Sequence, residues 1–193
     1  MWNVLLDPLP EEWNGYPIDT DFQTGIQISQ CLEDEGLSKR EKILTALSLL
    51  FPDVENRPSF AKAQEALEWY LTEYNHDNHS GKKSTKKLMD FDIDQWRIYA
   101  AFLSQYKIDL NTTKLHWFVF MGLLDNLEES SFGRVIDIRQ KNIDAKMSPE
   151  EKKSLTAAKK VYELGAHNEP LTEAEKKEDA EALELFNRLR NKT

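Results

Sequence analysis

Leu115-His116-Trp117-Phe118-Val119-Phe120-Met121-Gly122-Leu123-Leu124 is the most hydrophobic stretch of this 193-residue chain, and its reading decides the fold. Within residues 112–127, Leu115, Trp117, Phe118, Phe120, Met121, Leu123 and Leu124 cover much of a helix's circumference. An apolar stripe that wide belongs to a helix surrounded by others, because a surface helix keeps one polar face. The expectation is an all-α, mainly helical domain with this helix at its centre. The chain holds only 7 Gly and 7 Pro, which is few for a turn-dense β-fold.

Working outward, helix starts are marked by a short oxygen-bearing side chain followed three residues on by Glu or Gln, a pair that caps free backbone N–H groups reciprocally. Thr20 with Gln23 predicts a first helix carrying Phe22, Ile26, Ile28 and Leu32, closed by Gly36. Ser38 with Glu41 predicts a second, carrying Ile43, Leu44, Leu47, Leu50 and Phe51 and stopped by Pro52. Ser59 caps a third, with Phe60, Ala63, Leu67, Tyr70, Leu71 and Tyr74 at helical spacing. Asp92 with Gln95 opens a fourth, whose apolar side reads as Ile93, Trp96, Tyr99, Ala100, Leu103 and Tyr106. Ser131 caps a shorter helix bearing Phe132, Val135, Ile136 and Ile138.

Three regions frame this core of residues 20–145. Residues 1–19 read as irregular, broken by Pro8, Pro10 and Pro17, with Asn14-Gly15 suited to the tip of a small hairpin. Residues 75–87 hold no apolar side chain and predict a mobile loop. Residues 146–193 read as a charged helical arm. Ser148-Pro149-Glu150-Glu151 combines an N-cap, a proline at the first helical position and a capping box. A last helix follows Thr172 with Glu175. Its second half gathers Leu183, Phe186 and Leu189, a stripe too short to stand alone in water. These three are the candidate partner-binding residues.

Composition limits the function. There are 25 Lys and Arg against 34 Asp and Glu, a net charge of −9. Acid excess argues against general nucleic-acid binding, which rests on neutralising phosphates, and against an anionic membrane surface. No apolar run approaches the roughly 20 residues that span a bilayer. The start, Met1 to Asp7, has no basic region, so no signal peptide is expected. Cys31 is the one cysteine, which excludes an intrachain disulfide and a cysteine cluster for zinc or iron–sulfur.

Chemistry-bearing constellations are weak. His76 and His79 stand three apart, without a third ligand on a rigid support. Asp90-Phe91-Asp92-Ile93-Asp94 is spaced like the start of a calcium loop, yet Gln95 and Ala101 occupy the positions that require Gly and Glu; acids at a helix start are the simpler reading. Cys31 could serve as a nucleophile with His116 as base, but a lone Cys on an amphipathic helix reads first as a small core residue. Lys82 to Lys87 form a basic island without interleaved aromatics for stacking on bases. Trp69, Tyr70, Trp96, Tyr99, Trp117 and Phe118 sit at core-like spacing, and any surplus would serve as interface anchors. No catalytic residue, cofactor site or metal site is expected, and the chain does not read as an enzyme.

One resemblance adds to this. Thr20-Asp21-Phe22, Phe51-Pro52, Ile98-Tyr99-Ala100-Ala101-Phe102, Tyr106-Lys107-Ile108-Asp109-Leu110, Leu115-His116-Trp117 with Phe120, Leu123 and Leu124, and Phe132 with Ile138-Arg139 keep an order and separation, across residues 1–165, that resembles the bacteriophage gene-product-fifteen family of tailed phages of Gram-positive bacteria. Lys107 stands where the family pattern has Gly. The resemblance implies a cytoplasmic protein in the bacterial host, encoded just before the tape-measure protein and serving as a tail assembly chaperone. Its implied partners are the tape-measure protein and the tail tube protein, with homo-oligomerisation open. The alternative is an acidic helical adaptor or regulatory protein with a different protein partner.

Overall fold

The computed structural model describes residues 3–73, 87–127 and 129–164. The chain divides into two compact units, Met1–Gln140 and Lys141–Thr193. It is mainly helical, with one two-stranded hairpin among the described residues. The expected loop over 75–87 lies outside the described residues except for Lys87. The helix after Thr172, with Leu183, Phe186 and Leu189, lies wholly outside them, as do His76, His79 and Lys82 to Lys86.

The first unit begins with the hairpin of β1 (Glu12–Trp13) and β2 (Tyr16–Pro17), in which Trp13 pairs with Tyr16. Asn14 and Gly15 both take positive φ, 50° and 82°, the requirement of the tight turn whose twist matches that of the strands. Trp13 and Tyr16 pack against the core and Ile18 enters it, so this segment is docked.

Six helices follow. They are α1 (Phe22–Glu33), α2 (Lys39–Leu50), α3 (Phe60–Thr72), α4 (Gln95–Ala101), α5 (Trp117–Asp125) and α6 (Ser131–Gln140), with a π-helical turn at Phe102–Tyr106 continuing α4. The expected capping box of α2 forms in full. Other boundaries differ. The N-cap of α1 is Asp21, whose carboxylate accepts from the Gln23 N–H at 2.9 Å, rather than Thr20. Its C-cap is Asp34, not Gly36; the Gly36 N–H donates to the Asp34 side chain. Ser59 precedes α3 without a side-chain cap, and the residue before α4 is Asp94, not Asp92.

The central helix α5 is shorter than residues 112–127 for a tertiary reason. The Phe22 N–H donates to the Leu115 carbonyl at 3.0 Å and the Trp117 N–H to the Thr20 carbonyl at 2.7 Å. Asp21 and His116 thus form an antiparallel bridge. This pairing holds Leu115 and His116 extended and sets the starts of α1 and α5 side by side. His116 then caps α5, its Nδ1 accepting from the Phe118 N–H at 3.1 Å, while Nε2 bonds the Pro10 carbonyl at 2.9 Å. An Nδ1 that accepts leaves the proton on Nε2. Burial lowers the pKa of this ring, against the opposing pull of the Pro10 carbonyl and Glu11.

Phe120 is the hub of the core. It is fully buried, with its ring centroid 4.9 Å from Phe22, 5.1 Å from Phe102 and 5.9 Å from Trp117. Trp117 stacks on Tyr70, and its indole N–H donates to the Tyr70 carbonyl at 3.1 Å. The Tyr70 hydroxyl is buried without a hydrogen-bond partner. Burial, reinforced by Asp19 and Asp21, pushes its pKa well up.

The buried face of α4 is not the expected one. Asp94, Ile98, Ala101 and Phe102 turn inward, while Trp96 is 75% exposed and Leu103 43% exposed. Trp96 packs edge-on against Tyr99 at 6.0 Å. The π-turn ends at Lys107, in the left-handed region at φ 59° and ψ 26°. Gly adopts that conformation at least cost, so Lys107 is held there under mild strain.

The second unit contains α7 (Pro149–Val161). The expected capping box forms between Ser148 and Glu151, with Pro149 in the first turn. Acids in the first turn and Lys159 and Lys160 in the last complement the helix dipole.

Candidate functional site

The residue pair that organises one concave surface, Asp94 and Arg139, is not joined by any constellation singled out from the sequence. Asp94 is 0% exposed and Arg139 4% exposed. They meet in a two-pronged ion pair: Nη1 to Oδ2 at 2.6 Å and Nη2 to Oδ1 at 3.0 Å. Arg139 Nη1 also donates to the Leu88 carbonyl at 2.9 Å. Arg97 adds a bond to Asp94 Oδ1 at 3.1 Å, and the Asp90 N–H one to Oδ2 at 3.2 Å. One guanidinium therefore fixes α6, the start of α4 and the backbone at Leu88 together. The planar donor fork of Arg allows this; a lysine would supply a single point charge.

Two of these clamped segments, α6 and Leu88-Met89, border with α5 an open groove of about 530 Å³. Met89, Met121, Leu124, Leu127, Phe132 and Ile136 form its apolar lining, and Gly133 leaves room on the α6 side. The volume falls within the range of sites that take up ligand groups. Two methionines give the wall adaptable, polarizable side chains, as on surfaces that accommodate varied apolar partners. Among the described residues, Asp125 and Asp137 are the charged ones that line it. Asp125 is the last residue of α5, where the helix dipole disfavours an anion. Partial burial raises its pKa.

The other sequence candidates are engaged elsewhere. Cys31 Sγ lies 3.6 Å from the Lys42 carbonyl, and both ring nitrogens of His116 are occupied as described. Asp90, Asp92 and Asp94 do not converge on one point. Asp90 Oδ1 accepts from the Asp92 and Ile93 N–H groups, and Oδ2 binds Lys87 at 2.6 Å. Burial opposes ionisation of Asp90, but these bonds hold its pKa below the ordinary range. Lys87, at the edge of the basic island, also pairs with Glu33 at 2.7 Å. Among the described residues no group of three His, Cys, Asp or Glu side chains is placed to hold a metal ion. No described helix is long and apolar enough to cross a membrane.

Sequence reasoning missed the Asp94–Arg139 clamp, though a signal was present. Asp94 stands four residues before Ile98, and Arg139 four after Val135 and seven after Phe132. Each is a charge on a core-facing stripe, where only a paired charge is tolerated.

Fold and groove define the class: a compact, mainly α-helical domain presenting an open apolar groove bordered by two carboxylates. The chain belongs to the bacteriophage Gp15 protein family, whose model matches residues 5–164, and is thus a bacteriophage protein. No curated protein and no solved structure matches it.

Proposed function

We propose that this protein is a tail assembly chaperone of a tailed phage of Gram-positive bacteria, acting in the host cytoplasm. In this role it binds and solubilises the tape-measure protein until tail tube subunits enclose it. Family membership supports the phage setting, and the position before the tape-measure gene that the resemblance implies supports the partner. The groove between α5, α6 and Leu88-Met89 carries the physical reading. A long helical tape measure exposes apolar faces before it is enclosed, and such faces aggregate. A groove lined by methionine, leucine and phenylalanine takes up one turn of such a face after another. The net charge of −9 keeps coated complexes apart. The role is one of binding, without a chemical step.

The test is co-expression with the long helical protein encoded downstream. The expected result is a soluble complex containing both chains, while the tape measure expressed alone sediments. A tape measure that stays insoluble, with this protein free in solution, would refute the role. Capture of an unrelated host protein instead would favour the adaptor reading.

A further inference from the structure

Building on the chaperone reading, we propose that the groove is charge-selective: it seats an apolar helix face of a partner protein flanked by Lys or Arg, whose cations meet Asp125 and Asp137.

Most other aspartates of the first unit have work within the fold. Asp19, Asp21, Asp34, Asp53, Asp90 and Asp109 each accept from a nearby backbone N–H. Asp94 is clamped by Arg139. The side chains of Asp125 and Asp137 make no hydrogen bond or ion pair among the described residues, and both line the groove. Asp125 is moreover held at the unfavourable end of α5 and against apolar atoms that raise its pKa. A cation arriving beside it removes both penalties at once. Lys and Arg suit the site for a second reason. Their methylene stems lie along apolar surface while the charged head reaches outward, so one residue covers groove wall and neutralises a carboxylate. An acidic helix of the same apolar pattern would add a third like charge. A second copy of this chain, itself at net charge −9, is the poorer occupant by the same reasoning.

The probes are two synthetic amphipathic helices of roughly 18 residues, long enough to form helix in water, sharing one Leu stripe. One is flanked by Lys and the other by Glu. Binding to the full chain is read by fluorescence anisotropy at low and high salt. The wild-type chain should prefer the Lys peptide about ten-fold, equivalent to about 1.4 kcal/mol over two partly exposed pairs, and salt should erode that preference. Asp125→Asn with Asp137→Asn should equalise the two peptides. Asp125→Lys with Asp137→Lys should reverse the order. Both positions are exposed, so these variants should keep the wild-type circular dichroism and melt no lower than the wild type, since the Asp125 charge at the end of α5 is removed. Equal binding of both peptides by the wild type, no binding of either, or a preference unaltered in the Asn variant would overturn the proposal. So would dimerisation that the Asn variant strengthens and that displaces the Lys peptide, since a second copy would then own the groove. Because the peptides come from no phage protein, the outcomes separate. Peptide selectivity without tape-measure capture sustains the groove chemistry and removes the chaperone role. Capture without selectivity overturns the groove chemistry alone.

Discussion

Replacing Gly25 by Ala should destabilise the protein although Gly25 lies inside α1. On helix propensity alone the change should gain about 1 kcal/mol, because Ala loses less backbone entropy than Gly. Packing reverses the sign. A Cβ on Gly25 would stand 2.7 Å from Trp117 Cζ3 and closer still to Cε3 and Cδ2. The ring has little freedom to yield. Trp117 is 2% exposed, stacks on Tyr70 and Phe120, and is tied through its N–H to the Tyr70 carbonyl. Overpacking of this kind costs about 1–3 kcal/mol. With the ring pinned, the upper end applies, and the net loss is about 2 kcal/mol. Gly122→Ala is the matched control on α5, since a Cβ there meets nothing within 4 Å; it should gain up to about 1 kcal/mol. Urea denaturation followed by circular dichroism would place the two variants on opposite sides of the wild type, with melting temperatures separated by roughly 6–12 °C. A Gly25→Ala protein as stable as the wild type would show that α1 and α5 do not approach as described.

Arg139→Met should cost about 3 kcal/mol in chemical denaturation, because Asp94 is left buried with only Arg97 and the Asp90 N–H as partners; a loss under about 1 kcal/mol would contradict the clamp. Lys107→Gly should raise stability by up to about 1 kcal/mol, since Lys107 is held in the left-handed region; thermal melts showing a loss would refute the strain. Tyr70→Phe should be neutral or stabilising by about 1 kcal/mol, because its hydroxyl is buried without a partner; a clear loss in urea titration would reveal a bond to that oxygen. His116 is stabilised in its neutral form, so its folded pKa lies below the unfolded value of about 6.5, and stability should be complete above that pH and fall as pH drops through the folded pKa. His116→Asn keeps a capping acceptor and should flatten this decline in melts between neutral and mildly acidic pH; parallel slopes for both proteins would exclude His116 as its source.

The parts of the fold legible in sequence are those governed by neighbours a few residues apart. The Asn14-Gly15 turn, the boxes at Ser38 and Ser148 and the burial of Trp117 and Phe120 each follow from local chemistry, and each is found. The orientation of α4 was not legible, because both its faces are apolar. Trp96, Tyr99 and Leu103 make one stripe, Ile98, Ala101 and Phe102 the other. Aromatic bulk favours the first stripe; the structure buries the second, since only that rotation brings Asp94 to Arg139. The start of α5 was likewise set at long range, by the pairing of Thr20 to Phe22 with Leu115 to Trp117. The groove depends on Leu88 and Met89 meeting helices some thirty to fifty residues further on, and no periodicity encodes such a meeting.

That dependence gives the Asp94–Arg139 pair its meaning. A buried ion pair is weak evidence for stability, because desolvating two charges offsets most of their attraction and an apolar pair of similar volume often does as well. An apolar pair, however, would leave the Leu88 carbonyl without the donor that Arg139 gives it. It would also lose the directional fork that sets α6 against the start of α4. Hydrophobic contact between these segments tolerates sliding, whereas the two prongs at 2.6 and 3.0 Å do not. The pair therefore acts chiefly on shape: it holds the α6 side of the groove and the backbone at Leu88 at one separation. A surface that must admit apolar side chains without collapsing on itself needs its walls held by something other than their own attraction. A charged clamp behind the groove supplies that restraint, while the methionines facing it remain free to adapt.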